Sequence, residues 1–187
     1  MNTHPTLSAG EALDRLAAGN DSFRASLFAR EVQCGHCQEL LQGQHPFAAV
    51  LSCSDSRVPP ELLFGQGLGD LFVVRNAGNV LDDVVVGSLE YAVEHLGVRL
   101  IVVLGHEKCG AVTAAVTAPG PTDGHLGAIM RSIQPALDKV RGMDGDPIAN
   151  TIDAHIVETV AGLRREPIIS AAMHRHGLRV IGMRYDL

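Results

Sequence analysis

The chain has 187 residues, 46% of them hydrophobic and 19% charged, with 15 Lys and Arg against 21 Asp and Glu for a formal net charge of −6. That is one domain's length with ample apolar material for a core, which excludes a disordered chain. No apolar run approaches the ~18–20 residues of a membrane span, and an acidic chain with 4% aromatics and no Trp lacks the basic surface and stacking platforms of a nucleic-acid binder.

The first helix is signalled by the capping box Ser8-Ala-Gly-Glu11, and Leu13, Leu16 and Phe23 carry its apolar stripe to about residue 26. Residues 27–46 are irregular, interrupted by Gly35 and Gly43, so that residues 1–45 read as an N-terminal helical arm before an α/β core over 46–187. The core opens with the apolar run Pro46–Leu51, a strand suited to burial on both faces. It leads into Cys53-Ser-Asp-Ser-Arg57, and Pro59-Pro60 starts a short helix at 61–64. Residues 70–74 predict a second strand, followed by the polar turn Arg75-Asn-Ala-Gly-Asn79 and a helix over 82–96. A third buried strand spans 100–104, and Gly105-His-Glu-Lys-Cys-Gly110 turns into another helix. The Pro-, Gly- and Thr-rich stretch 116–124 is a loop, helices follow over 125–141, 147–164 and 167–176, and Gly177 caps the last of them before a strand at 178–183. Strands alternating with helices predict a single α/β domain with a central, mostly parallel sheet flanked by helices.

Four cysteines in a chain this long do not make a disulfide-stapled scaffold. Met1–Ser8 has no basic stretch followed by an apolar run, so no signal peptide is expected. The expected setting is the reducing cytoplasm, with the periplasm as the alternative if a leader has been removed.

Two polar clusters stand at the carboxyl ends of predicted parallel strands, where open α/β sheets place their sites. Cys53, Asp55 and Arg57 form one; His106 and Cys109 form the other, and the two meet if their strands are neighbours. The i, i+3 spacing of His106 and Cys109 suits two ligands facing one ion across a helical turn. Two cysteines and a histidine are a familiar three-ligand zinc set that leaves the fourth position open, as a catalytic zinc requires. Asp55 on the metal would close that position. Arg57, two residues on, can hold the carboxylate in a bidentate pair and keep it off, leaving it to orient bound water by accepting a hydrogen bond.

Cys53-Ser-Asp-Ser-Arg57 together with Gly105-His-x-x-Cys-Gly110 resembles the signature of the β-class carbonic anhydrases, and Arg75-Asn-Ala-Gly-Asn79 and Ser88–Val93 resemble further segments of that family over roughly residues 8–186. The resemblance implies one Zn²⁺ per chain on Cys53, His106 and Cys109, with Asp55 and Arg57 as catalytic dyad. It implies reversible hydration of CO₂ to bicarbonate by attack of zinc-bound hydroxide, and a site at a dimer interface, hence a homodimer or homotetramer. Gln44 matches the family's substrate hydrogen-bond donor, and Phe72 and Tyr91 match its apolar pocket, although both aromatics also fit plain core packing.

Three departures from the family pattern are visible. Val50 stands where some members carry the tryptophan of an inhibitory bicarbonate site, so that form is not expected here. The loop Phe64-Gly-Gln-Gly67 lacks an acidic residue common in relatives, and Tyr185-Asp-Leu187 ends where many relatives continue. Cys34-Gly-His-Cys37 sits outside the signature: it reads as half a metal site, a thiol–disulfide pair or incidental arm cysteines. Rival functions are hydrolysis of carbonyl sulfide or carbon disulfide at the same zinc, and a non-catalytic zinc protein, which would not need Asp55 and Arg57. A Rossmann nucleotide binder is disfavoured because no G-x-G-x-x-G follows a predicted strand.

Overall fold

The computed structural model describes residues 6–25, 40–118, 120 and 122–187. Helix α1 spans Ala9–Ala25 and opens on the expected capping box, with Glu11 accepting from the Ser8 backbone at 2.8 Å and hydroxyl at 2.7 Å. The helix lies over the edge of the core. Arg15 pairs with Asp70 at 2.6 Å and stacks on the Phe47 ring at 4.2 Å, and Asn20 donates to the Leu63 carbonyl. The motif Cys34-Gly-His-Cys37 lies outside the described residues.

Four strands follow: β1 (Ala48–Cys53), β2 (Leu71–Asn76), β3 (Leu100–His106) and β4 (Arg179–Tyr185). They form one sheet in the order β2-β1-β3-β4, parallel at each pairing. β1 and β3 occupy the centre and are buried along their whole length. This is what continuous apolar runs dictate when helices cover both faces.

Each strand runs two residues beyond the expected end. Apolarity stops at Leu51, Val74 and Leu104, but main-chain pairing does not. The ladders continue to Cys53↔Asn76 and His106↔Tyr185. Arg75, Asn76, Gly105 and His106 are therefore strand residues, and the tight turn after β2 is confined to Ala77–Asn79.

The connections are α2 (Pro60–Leu63), α3 (Asp83–Glu94, capped by Asp82), α4 (Gly110–Thr117), α5 (Gly124–Val140), α6 (Pro147–Arg165) and α7 (Pro167–His176). Gly177 ends α7 in the left-handed region, φ 67°. Helix α6 lies directly on β3 and β4: a Cβ at Gly105 or Gly182 would stand 2.5 Å from the Ile156 side chain. Those two glycines bring α6 to the carboxyl half of the sheet, and with it the buried His155.

Candidate metal centre

Because β1 and β3 are neighbours, Cys53 at the end of one and His106 at the end of the other emerge side by side. Cys109 reaches the same point by a different route from the one its spacing predicts. His106 closes a strand and Cys109 is the N-cap of α4, so no helical turn joins them. The chain reverses at Lys108, whose φ of 54° is left-handed. The ligand atoms of Cys53, His106 and Cys109 lie within 4.8 Å of one another, all three residues buried, with the sulfurs 3.9 Å apart.

The imidazole is oriented for ligation. Nδ1 of His106 is 2.8 Å from the Glu107 carbonyl, which can only accept, so Nδ1 carries the hydrogen and Nε2 presents a lone pair. That Nε2 is buried without a hydrogen-bond partner among the described residues. A buried, unpaired acceptor beside two sulfurs fits a soft divalent cation, and a Cys₂His donor set is one that zinc takes with a position left open.

The charges follow the same geometry. A hydrogen bond from the Cys109 thiol, helped by His106 and the Gly78 N–H, holds Cys53 well below the ordinary thiol range. The same contact, with burial, pushes Cys109 up. Burial disfavours the charged imidazole of His106, but the neighbouring Cys53 sulfur and the Glu107 carbonyl outweigh it and raise its pKa.

Asp55 sits over the cluster, its Oδ2 3.8 Å from His106 Nε2. Arg57 holds it from three atoms: Nε to Oδ1 at 2.9 Å, Nη2 to Oδ2 at 2.8 Å, and the backbone N to Oδ1 at 3.0 Å. This fork keeps the Asp55 carboxyl well below the usual carboxylate range. Nη2 of Arg57 also donates to the Lys108 carbonyl at 3.3 Å, joining the two ligand loops.

Further contacts pin the loops through their backbones. Arg75, from the end of β2, donates to the carbonyls of Cys53 (2.9 Å) and Asp55 (2.7 Å). Gly78 N–H points at Cys53 Sγ, 3.4 Å away. Glu107 donates from its N–H to the Tyr185 carbonyl and accepts from Leu187 N–H, tying the His106 loop to β4. Sequence patterning gives Arg75 and Gly78 only as parts of a polar turn, and gives His155 no role. Their contacts depend on backbone direction and tertiary proximity, for which no spacing rule exists.

Gln44, Phe72 and Tyr91 gather elsewhere. Phe72 pairs in register with Ala49, four residues before the Cys53↔Asn76 pair. At ~3.3 Å per residue this is about 13 Å down the strands from the ligand end. Its ring meets Tyr91 at 6.2 Å, and Tyr91 meets His95 at 5.0 Å. Gln44, Tyr91 and His95 line an open groove of about 490 Å³ beside α3, with Leu40, His45 and Leu96. Tyr91 is 47% exposed, so core packing does not account for it.

The fold and this cluster define an α/β protein with a Cys-His-Cys cluster, able to hold a soft metal ion, at the carboxyl edge of a parallel sheet. The carbonic anhydrase family profile matches residues 48–187. Carbonic anhydrase 2 of Mycobacterium tuberculosis is 40% identical over 194 aligned positions, covering 100% of this chain and 90% of that protein. The carbonic anhydrase of Mycolicibacterium smegmatis is 42% identical over 152, covering 79% and 74%. Among solved structures, a tetrameric β-carbonic anhydrase of Sordaria macrospora superposes with a TM-score of 0.74 at 27% identity, covering 94% of this chain and 89% of that one. The chain belongs to the carbonic anhydrase family, in its β class. A carbon disulfide hydrolase shares the fold at 21% identity, TM-score 0.52, with 76% and 75% coverage.

Proposed function

We propose that the protein is a zinc-dependent carbonic anhydrase catalysing the reversible hydration of CO₂ to bicarbonate and a proton. The observation that carries this reading is the placement of Asp55: within 4 Å of the bare His106 Nε2, yet held by Arg57 through both carboxylate oxygens. A purely structural metal site would need neither residue. Cys53, His106 and Cys109 would hold one Zn²⁺ per chain. When bound, the ion supplies Lewis-acid activation of water at neutral pH.

The chain's own groups do the rest. Asp55, ionised and acceptor-only, takes a hydrogen bond from the nucleophilic water and so directs its lone pair towards the carbon of CO₂. Arg57 occupies both carboxylate oxygens, which keeps Asp55 available as an orienter and prevents it from serving as a fourth ligand. Gln44, Phe72 and Tyr91 supply a hydrogen-bond donor and apolar walls suited to a small neutral gas. Since they lie apart from the triad of their own chain, we assign them to the site of a neighbouring copy in a homodimer or homotetramer. The tetrameric state of the Sordaria relative supports assembly of this kind. Two free thiols at the centre suit the reducing cytoplasm as its setting.

Zinc content measured beside stopped-flow CO₂ hydration tests the assignment. Wild type should carry about one zinc per chain, and Asp55→Asn should keep the zinc while losing about 10²-fold or more in rate. Full hydration by Asp55→Asn would overturn the role of the dyad. Faster turnover of carbonyl sulfide than of CO₂ by the same preparation would overturn the substrate.

A further inference from the structure

Helix α6 carries a buried polar stripe, Thr151, His155 and Thr159, spaced one turn apart. Thr151 returns its hydroxyl to its own helix, at the Pro147 carbonyl. His155 instead reaches across the sequence: its Nε2 lies 2.8 Å from the Gly78 carbonyl. A carbonyl only accepts, so His155 Nε2 is the donor. Burial disfavours the charged imidazole and holds the pKa of His155 below the ordinary value, which leaves the neutral Nε2–H form as the donor.

Gly78 is the residue whose N–H faces Cys53 Sγ. It sits at φ 78° in the Ala77–Asn79 turn, and a Cβ there would stand 3.0 Å from Ala111 Cβ and 3.2 Å from Ile133 Cδ1. The turn is thus wedged against α4 and α5, and Gly78 is bonded on both sides, to sulfur through its N–H and to imidazole through its C=O. Without the imidazole, a buried carbonyl is left unpaired. A shift of the turn that brings this carbonyl to another donor moves the Gly78 Cα it shares with the N–H, and that displaces the N–H from the sulfur.

We propose that His155 is a positioning residue for the metal centre: by fixing Gly78 it holds the Gly78 N–H on Cys53 Sγ and sets the donor strength of that thiolate. The inference rests on the reading that Cys53, His106 and Cys109 bind a metal. An N–H···S bond fixes the sulfur in place and draws off part of its negative charge. Losing that bond therefore frees the sulfur from the position that suits the ion, and it lowers the energy at which the sulfur gives up charge to a bound ion.

The test uses full-length protein loaded with Zn²⁺ or with Co²⁺. His155→Leu removes the donor, His155→Gln puts an amide N–H where Nε2 stood, and His155→Asn puts one where Nδ1 stood, out of reach of Gly78. Leu and Asn variants should lose Zn²⁺ to a chelator about 10-fold more readily than wild type. In the Co²⁺ forms their sulfur-to-metal charge-transfer band should move to longer wavelength. Gln should restore both readouts. If the Leu variant fails to fold, the Gln–Asn difference decides, and identical behaviour of those two overturns the role of His155. Wild type that takes up neither ion would instead overturn the metal reading itself.

Discussion

At the carboxyl end of the sheet, Cys53, Asp55, His106 and Cys109 are held by short contacts from β2, the Ala77–Asn79 turn and β4, with Arg57 bridging the two ligand loops. In the groove beside α3, Gln44 and Tyr91 are exposed, and the Tyr91 ring meets those of Phe72 and His95 in tilted contacts. Metal ligands need positions fixed to tenths of an ångström, and rigid strand ends provide that within one chain. The groove has no such bracing from strand ends, and its walls are side chains on a helix and a loop. The difference teaches that one chain finishes its Cys-His-Cys cluster and leaves its groove open.

The largest expected effect probes this division directly. Asp55→Asn damages the metal end, and the double variant Gln44→Ala/Tyr91→Ala damages the groove; each alone should lose most hydration activity. If the groove serves a neighbouring copy, co-expressing the two in equal amounts forms mixed dimers with one undamaged site. Random assortment then restores about a quarter of wild-type turnover per chain, because half the dimers are mixed and one of their two sites is intact. Stopped-flow assay of the mixture decides the matter. Activity no higher than the mean of the separate variants would place the groove and the triad in the same chain's site, or show the groove to be idle.

A smaller effect is expected from Gly78→Ala at the metal end. The alanine must adopt the left-handed conformation and press against Ala111 and Ile133, a cost of about 2–4 kcal/mol in unfolding free energy. Gly87 on α3 has no described residue within 4 Å of a Cβ, and Gly87→Ala should leave stability unchanged or raise it slightly. Urea unfolding of the pair measures how tightly each region is fitted. Equal midpoints would mean that the ligand end is not the stiffer of the two.

Most of this architecture is legible in the sequence, because the signals involved are local. The apolar runs at 46–51 and 100–104 imply buried parallel strands, Ser8–Glu11 marks a helix start by side-chain chemistry, and Gly177 marks a helix end by having no side chain. The strand ends were less legible because backbone pairing continues through polar residues such as Arg75 and His106. The ligand types at 53, 106 and 109 follow from residue identity. The route to Cys109 does not, since the left-handed Lys108 has no sequence marker. Gly78 and His155 were illegible for a related reason: their partners are 25 and 77 residues away, and each contact involves a backbone atom that every residue type shares.

The smallest expected effect concerns His155 as a titrating group. In the folded chain burial lowers its pKa from the ordinary 6.5, opposed by the Gly78 carbonyl and by Glu158. The unfolded chain therefore binds a proton at His155 over a pH range in which the folded chain does not. The stabilisation is complete above pH 6.5 and is lost as pH falls through the lowered folded-state value. His155→Gln keeps a donor for Gly78 and has no proton to gain, so its urea midpoint should fall less than that of wild type between about pH 7 and pH 5. Comparing the two zinc-loaded proteins cancels acid titration of the ligand thiols, which both retain. Parallel slopes would mean that the imidazole enters the folded core as readily charged as neutral, and that the Gly78 contact does not depend on its protonation state.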